Sequence, residues 1–367
     1  MDILVLGGTG AMGTPLVQLL SERNRVWVTS RSSRVSNFPA IHYVQGDAMQ
    51  KDFLQQIVSS QHWDAIVDFM NRKYSQFKEV LPFLMKSTSQ YVFISSARVY
   101  NQSEEPITEE TPRLLDTCSD SDYLKTDEYG LAKAREEDLV KKFGNNNYTI
   151  IRPSITYNDY RLQLGIMEKE DFVYRILHGR TLVFSHDLEN KITTMTHGND
   201  VARGIASIIG QPKALGETFH ITSPKSLTWG EILNIYKKII EEHLGESIKI
   251  LWTDKTTNFK LSNQYYRIVY SRYFNRSFCN NKIGQFIDVD SFVSPEEGLT
   301  QCMRNFLLNP KFGKINWSLE GINNHATNEN ITNGEIKRIG DRIWYLLYRY
   351  DATLVVKIIK RILKLKK

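Results

Sequence analysis

Residues 2–6, Asp-Ile-Leu-Val-Leu, run directly into Gly7-Gly8-Thr9-Gly10-Ala11-Met12-Gly13. Pro15 to Ser21 follow, with Leu16, Leu19 and Leu20 at helical spacing. An apolar strand, a glycine turn and a helix in that order form the context a dinucleotide fingerprint requires. Gly7 permits the tight turn, Gly10 clears the approach of a pyrophosphate, and Gly13 lets the helix lie close to the sheet. The helix start then offers free N–H groups and a positive dipole to phosphate, with Thr9, Ala11 and Met12 in the same turn. A chain that opens this way is expected to build an α/β domain on a parallel sheet.

The next apolar run, Arg25 to Thr29, ends in Ser30-Arg31-Ser32-Ser33-Arg34. A site for NAD usually places an acid here, to accept from the ribose 2′-hydroxyl. A hydroxyl and two arginines suit a 2′-phosphate instead. The expected cofactor is therefore NADP, with NAD as the alternative and a solvated basic loop as the plain reading. Ile41 to Asp47 reads as a third strand. Asp47 is placed to accept from an adenine amino group or to cap the next helix, with Ala48 beside it. Ala65 to Met70 reads as the fourth strand and Tyr91 to Ile94 as the fifth.

The fifth strand leads into Ser95-Ser96-Ala97-Arg98-Val99-Tyr100. After a polar loop, Asp127 to Glu137 reads as a helix, and Tyr129 and Lys133 share one face of it. A phenol ordinarily titrates near 10 and is a poor base at neutral pH. An ammonium one turn away favours its ionised form. Such a phenol can exchange a proton with a substrate hydroxyl while a hydride moves. Ser96 is placed to hydrogen-bond the same oxygen. Tyr74 and Lys78 repeat the spacing, but no strand-end hydroxyl precedes them.

Composition removes several other classes. No run reaches 18 apolar residues, so no spanning helix is expected. The acidic second residue and absent basic leader argue against a signal peptide. Cys118, Cys279 and Cys302 are too scattered for a disulfide framework or a metal site, which suggests free thiols in a reducing compartment. The formal charge of +6 equals the six cations of residues 357–367, which contain no acid. The remainder is neutral, so no nucleic-acid surface is expected.

Taken in order, these residues resemble the extended short-chain dehydrogenase/reductase family, which includes nucleotide-sugar epimerases, dehydratases and ketoreductases. Ile150 to Tyr157 resembles its sixth strand with an Arg-Pro pair. Met195 to Ala202 resembles its histidine-x-x-aspartate-valine-alanine segment. Glu217 to Ser223, then Leu227 to Trp229, resembles a late strand and helix start. The resemblance covers roughly residues 1–245. It implies a doubly wound parallel Rossmann sheet carrying the cofactor and a smaller C-terminal α/β substrate domain. It makes Ser96, Tyr129 and Lys133 catalytic. Gly7, Thr9, Gly10, Ala11, Met12, Gly13, Ser30, Arg31, Asp47, Ala48, Tyr129, Lys133 and Pro153 would bind cofactor.

The departures narrow the reaction. Ala97 and Arg98 stand where the family's 4,6-dehydratases carry Asp-Glu, and Ala97 where its 3,5-epimerase-reductases carry cysteine. A nucleotide-sugar 4-epimerase or 4-ketoreductase remains, of the kind used in making cell-surface polysaccharide. The alternatives are a reductase of a small non-sugar ketone and a non-catalytic NADP-sensing or RNA-binding protein. Asn101 and Asn158 replace glycines of the family pattern, and Thr193 and Thr194 replace an arginine. Arg98, Arg161, Arg175 and Arg180 are the cations available to a substrate diphosphate. His197 reads as structural.

The expected domains are 1–160 with about 190–225 for the cofactor, 161–190 with 226–325 for the substrate, and a linker and basic helix over 326–367. Asn323 to Asn333 reads as loop. Gly340 to Lys367 reads as one basic amphipathic helix with aromatic flanks. It either attaches to an anionic membrane leaflet or packs on its own body or a dimer mate. The whole suggests a cytoplasmic homodimer, with the inner face of the membrane as the place of the tail only in the first of these two readings.

Overall fold

Seven of the apolar runs pair into one wholly parallel sheet: β1 (Asp2–Leu6), β2 (Arg25–Ser30), β3 (Ile41–Gln45), β4 (Trp63–Asp68), β5 (Thr88–Ile94), β6 (Tyr148–Pro153) and β7 (Glu217–Ile221). Their spatial order is β7-β6-β5-β4-β1-β2-β3. This computed structural model describes every residue except 144, 260–263, 353, 357, 360 and 362–367.

Strand periodicity sends alternate side chains to opposite faces, and both faces are covered. Ile3 and Val5, Val26 and Val28, Ala65 and Val67, and Val92 and Ile94 face α1 (Gly13–Ser21) and a later helix at Gly198–Ile208. Leu4 and Leu6, Ile66, Tyr91, Phe93 and Ile150 face α2 (Lys51–Val58), α3 (Tyr74–Lys86) and α4 (Tyr129–Lys142). That is why the central strands read as largely apolar runs, while the edge strand β3 exposes His42 and Gln45. The sheet is doubly wound, and the order reverses at β1. The chain moves outward through β2 and β3, then returns to β4 on the other side of β1, which opens a crevice at the strands' carboxyl ends.

The chain divides into two compact units: Met1–Asn158 with Ile192–Leu227 and Asn275–Gly298, and Asp159–Lys191 with Thr228–Phe274 and Leu299–Lys367. The expected assignment of 275–298 to the substrate domain is corrected. Ile283 and Phe292 sit in the core beneath the sheet, and Phe278 packs with Val99, Tyr100 and Ile107. The buried Arg276 donates to the carbonyls of Tyr100 and Asn101 at 2.9 and 3.1 Å. These contacts tie a late segment to the loop that follows β5.

The second unit contains α5 (Lys169–Leu177), α7 (Trp229–Leu244), α8 (Trp317–Thr327) and α9 (Ile339–Arg349), whereas α6 (Gly198–Ile208) belongs to the first. It also holds a parallel strand pair, Leu182–Ser185 with Ile250–Thr253. Two expectations fail here. Residues 323–327, read as loop, finish α8, because Asn316 caps its start and the stretch buries Asn323 and Asn324, the latter bonded to Arg175 and Tyr345. The single helix expected over 340–367 is interrupted: α9 ends at Arg349 and Asp351 takes a left-handed φ of 48°. Lys357, Lys360, Ile362, Leu363, Lys364, Lys366 and Lys367 lie outside the described residues.

Candidate active site

The glycine turn leaves β1 at the crevice. Gly7 has φ +73°, in the left-handed region that glycine adopts without cost. Its N–H donates to Thr29 Oγ1 at 3.1 Å. A Cβ on Gly13 would lie 2.7 Å from the Gly8 backbone, so α1 and the turn touch directly. A Cβ on Gly10 would meet nothing within 4 Å. No side chain caps the first turn of α1. An uncapped helix start beside an open glycine fits a pyrophosphate. Thr9 and Gly10 are exposed, while Ala11 and Met12 are half-buried. Met12 Sδ lies 3.6 Å from Thr156 Oγ1. Gly198, at the start of α6, faces the Ala11 carbonyl with no room for a side chain.

This geometry separates two substitutions. Gly10→Ala leaves the free protein's stability within about 0.5 kcal/mol of the native value, yet weakens dinucleotide binding by obstructing the open side of the turn. Gly13→Ala costs about 1–3 kcal/mol through overpacking against backbone and weakens binding as well. Urea denaturation and fluorescence titration with NADH and NADPH of both variants check the pair.

At the end of β2, Ser30 is buried, and its Oγ accepts from Arg34 Nε at 3.2 Å, while Arg31 is exposed. Asp47 Oδ1 accepts from the Met49 N–H at 3.0 Å, so it caps the turn into α2. The buried Ala48 has its carbonyl held by Arg72 at 3.1 Å. Pro153 ends β6 and is buried.

Ser96 stands two residues beyond the end of β5 at Ile94, and its Oγ accepts from the Arg98 N–H at 3.2 Å. α4 begins at Tyr129, capped by Glu128, whose carboxylate accepts from the Gly130 N–H at 2.8 Å. A Cβ on Gly130 would lie 2.7 Å from the Arg98 carbonyl oxygen. That close approach brings the start of α4 against the Ser96 loop. Arg98 is ion-paired with Glu128, and its guanidinium lies 5.3 Å from the centre of the Tyr129 ring. The Tyr129 side chain is 36% exposed, at the open side of this arrangement.

Lys133 is buried one turn along. Its ammonium lies 3.0 Å from Glu136 Oε2 and 4.7 Å from the centre of the Phe93 ring. Burial pushes the Glu136 carboxyl up, against the opposing pull of Lys133. Asp68, Arg72 and Tyr91 form the next polar group inward: Arg72 pairs with Asp68 at 2.6 Å, and the Tyr91 hydroxyl donates to Asp68 at 2.9 Å.

Sequence reasoning missed the anchor beneath this site. Glu137 is fully buried and accepts from Arg152 Nε and Nη2 at 2.8 and 2.7 Å and from Ser95 Oγ at 2.5 Å. Burial alone would raise its carboxyl, but Arg152, Ser95 and Arg113 together hold it below the ordinary value. One carboxylate thus joins α4, β6 and the residue next to Ser96. Glu137 lies four residues after Lys133, a helical spacing that could have signalled a second inward-facing charge.

Two expected substrate cations are corrected. Arg175 is wholly buried and donates to Thr181, Glu320, Asn324, Thr327 and Glu329 at 2.5–2.9 Å. Arg180 is buried and paired with Glu320 and Glu335 at 3.2 and 2.7 Å. Both bind the second unit together internally and offer nothing to a diphosphate. Arg161 keeps 46% of its side chain exposed, 3.9 Å from Glu168. His197 caps α6, with Nδ1 accepting from the Asn199 N–H at 3.2 Å.

Residues 3–222 match the description of the NAD dependent epimerase/dehydratase family. The chain belongs to that family. Its members are NAD(P)-dependent oxidoreductases and epimerases of the extended short-chain dehydrogenase type. Solved structures with the same fold include UDP-glucuronic acid 4-epimerase from Bacillus cereus in complex with UDP-glucuronic acid and NAD, at 15% identity and TM-score 0.62, covering 85% of this chain and all of that one. The dTDP-glucose 4,6-dehydratase of Bacillus anthracis, in complex with NAD, shares 19% identity at TM-score 0.61, covering 84% of this chain and 97% of that one. An epimerase from Methanothermobacter thermautotrophicus shares 18% at TM-score 0.65, covering 84% and 92%. A curated relative, the chloroplast stem-loop binding protein of 41 kDa b from Arabidopsis thaliana, is 26% identical over 242 residues. That match spans 62% of this family member and 60% of the relative's length.

Proposed function

We propose that this protein is an NADP-dependent nucleotide-sugar 4-epimerase or 4-ketoreductase, with Tyr129 as the acid/base. The observation that carries the reading is the approach of Gly130 to the Arg98 carbonyl, which gathers Tyr129 and the Ser96 loop at the carboxyl end of a sheet whose glycine turn is open at Gly10. When bound, the nicotinamide supplies or accepts the hydride. Gly7, Gly10 and Gly13, with the start of α1, would hold the pyrophosphate. Ser30 and Arg31, with Arg34, would face the ribose 2′-phosphate, and Asp47 and Ala48 the adenine side.

In the oxidative direction Tyr129 takes the proton of the sugar's C4 hydroxyl through its phenolic oxygen. In the reductive direction it returns a proton to the C4 oxygen. Ser96 donates to that oxygen and fixes its position. Arg98 supplies positive charge over the ring, and Lys133, whose ammonium rests on Glu136, is the second cation, one helical turn from the phenol. Ala97 and Arg98 provide no acid and base pair for removing water from the sugar, which supports epimerisation or ketone reduction over dehydration.

The test is incubation with UDP- and dTDP-linked hexoses and either cofactor. C4 interconversion without cofactor consumption selects the epimerase. Stoichiometric NADPH oxidation by a 4-keto sugar selects the reductase. Inertness towards every nucleotide-sugar by a protein that binds NADPH overturns the substrate class. For the cofactor, Arg31→Ala together with Arg34→Ala is expected to weaken NADP binding by about 10- to 100-fold, the value of one or two charge-assisted hydrogen bonds, and to leave NAD binding unchanged. Calorimetric titration with both dinucleotides checks this.

The plant relative's name favours a second reading, in which the fold binds nucleic acid. The neutral charge of residues 1–356 opposes it. Salt-dependent binding of a hairpin RNA by a chain with no turnover would favour it.

A further inference from the structure

We propose that the outward face of α9 docks on the surface of an anionic lipid bilayer. α9 has two apolar faces. One is occupied: Tyr345 and Tyr348 are buried, and the Tyr345 hydroxyl accepts from Asn324 Nδ2 at 3.0 Å. Gly321 of α8 abuts the Tyr345 carbonyl, where a Cβ would lie 2.5 Å away, so the two helices are in backbone contact. The other face carries Ile339, Ile343, Leu346 and Tyr350, each 40–81% exposed.

Their spacing of four, three and four residues places them in one stripe. At about 100° per residue the stripe lies nearly opposite Tyr345 and Tyr348, with Arg338 and Arg342 between the two faces. Leu354, Val355 and Ile358 continue the exposed apolar character beyond the turn at Asp351. A helix that buries one face and leaves a second apolar stripe in water has an unfilled contact.

Charge selects the occupant. Residues 337–367 contain ten lysines and arginines against Asp341 and Asp351. Lys337, Arg338, Arg342 and Arg361 are exposed. Apolar side chains beside concentrated positive charge suit the boundary between acyl chains and anionic headgroups. Two copies of the same face would bring these cations together, which opposes self-association. Among the described residues no helix is long and apolar enough to cross a membrane, so the segment lies on the surface.

The full chain is sedimented with vesicles of phosphatidylcholine alone and with about 30% phosphatidylglycerol, chosen to raise the anionic surface potential. Binding at least about tenfold stronger to the anionic vesicles, and weakened by salt, is expected. In the Ile343→Glu, Leu346→Glu double variant it should fall at least about tenfold, with the thermal transition unchanged. Equal sedimentation of both proteins, or no preference for anionic vesicles, overturns the proposal. So does a native dimer that the variant dissolves in light scattering, which assigns the face to a second copy. Unfolding of the variant overturns it too, because the stripe would then be packed on protein. None of these readouts depends on the catalytic reading.

Discussion

Tyr129→Phe is expected to lower turnover by about 10²- to 10⁴-fold, the usual worth of a positioned acid/base, while cofactor affinity changes little. The phenolic hydroxyl has no protein hydrogen-bond partner among the described residues, and the ring is partly exposed under Arg98. Its removal leaves no buried polar group unpaired, so stability stays within about 0.5 kcal/mol. The kinetic loss can therefore be read without a folding artefact. Rates of NADPH oxidation or sugar interconversion, beside NADPH titration and a thermal melt, separate the three quantities. Near-native turnover would remove Tyr129 from the chemistry. Lys133 is a poorer probe: truncating it strands Glu136 as a buried carboxyl without its 3.0 Å partner, and a fold defect would mimic a catalytic one.

Glu137→Gln is expected to cost about 3–5 kcal/mol, the penalty for leaving a buried charge without its partner. Arg152 would keep its burial and lose a carboxylate at two contacts of 2.7–2.8 Å. Urea unfolding measures the loss directly. The pH dependence has a definite sign. The folded carboxyl is held below its ordinary value, so its stabilisation is present above the unfolded value of about 4.3 and is lost as pH falls through the folded value. The gap between native and variant stability should therefore be full at neutral pH and shrink below about pH 4. A gap independent of pH from neutrality to strong acid would mean that the charge on Glu137 does not anchor the site.

Much of the first unit was legible in the chain. The central strands announce themselves because they are buried on both faces and largely apolar, whereas the edge strand β3 exposes His42 and Gln45. The glycine positions are legible because backbone contact and left-handed φ exclude other residues locally, as at Gly13 and Gly7. Tyr129 and Lys133 are legible because a helix imposes their spacing.

What the linear order could not express is pairing across long separations. Arg175 and Arg180 look like free cations until Glu320, Glu329 and Glu335 arrive from far downstream to neutralise them. Arg276 and Phe278 carry no local mark of their return to the loop after β5. Lys133 faces both Tyr129 and Glu136 by spacing alone, and only packing turns its ammonium to Glu136 and the Phe93 ring. Local backbone geometry is written in neighbouring residues, so the sequence by itself determined the sheet and its glycine turn. The partner of a buried charge is chosen by whichever opposite charge the completed fold brings within a few ångströms, and that only the tertiary structure decided.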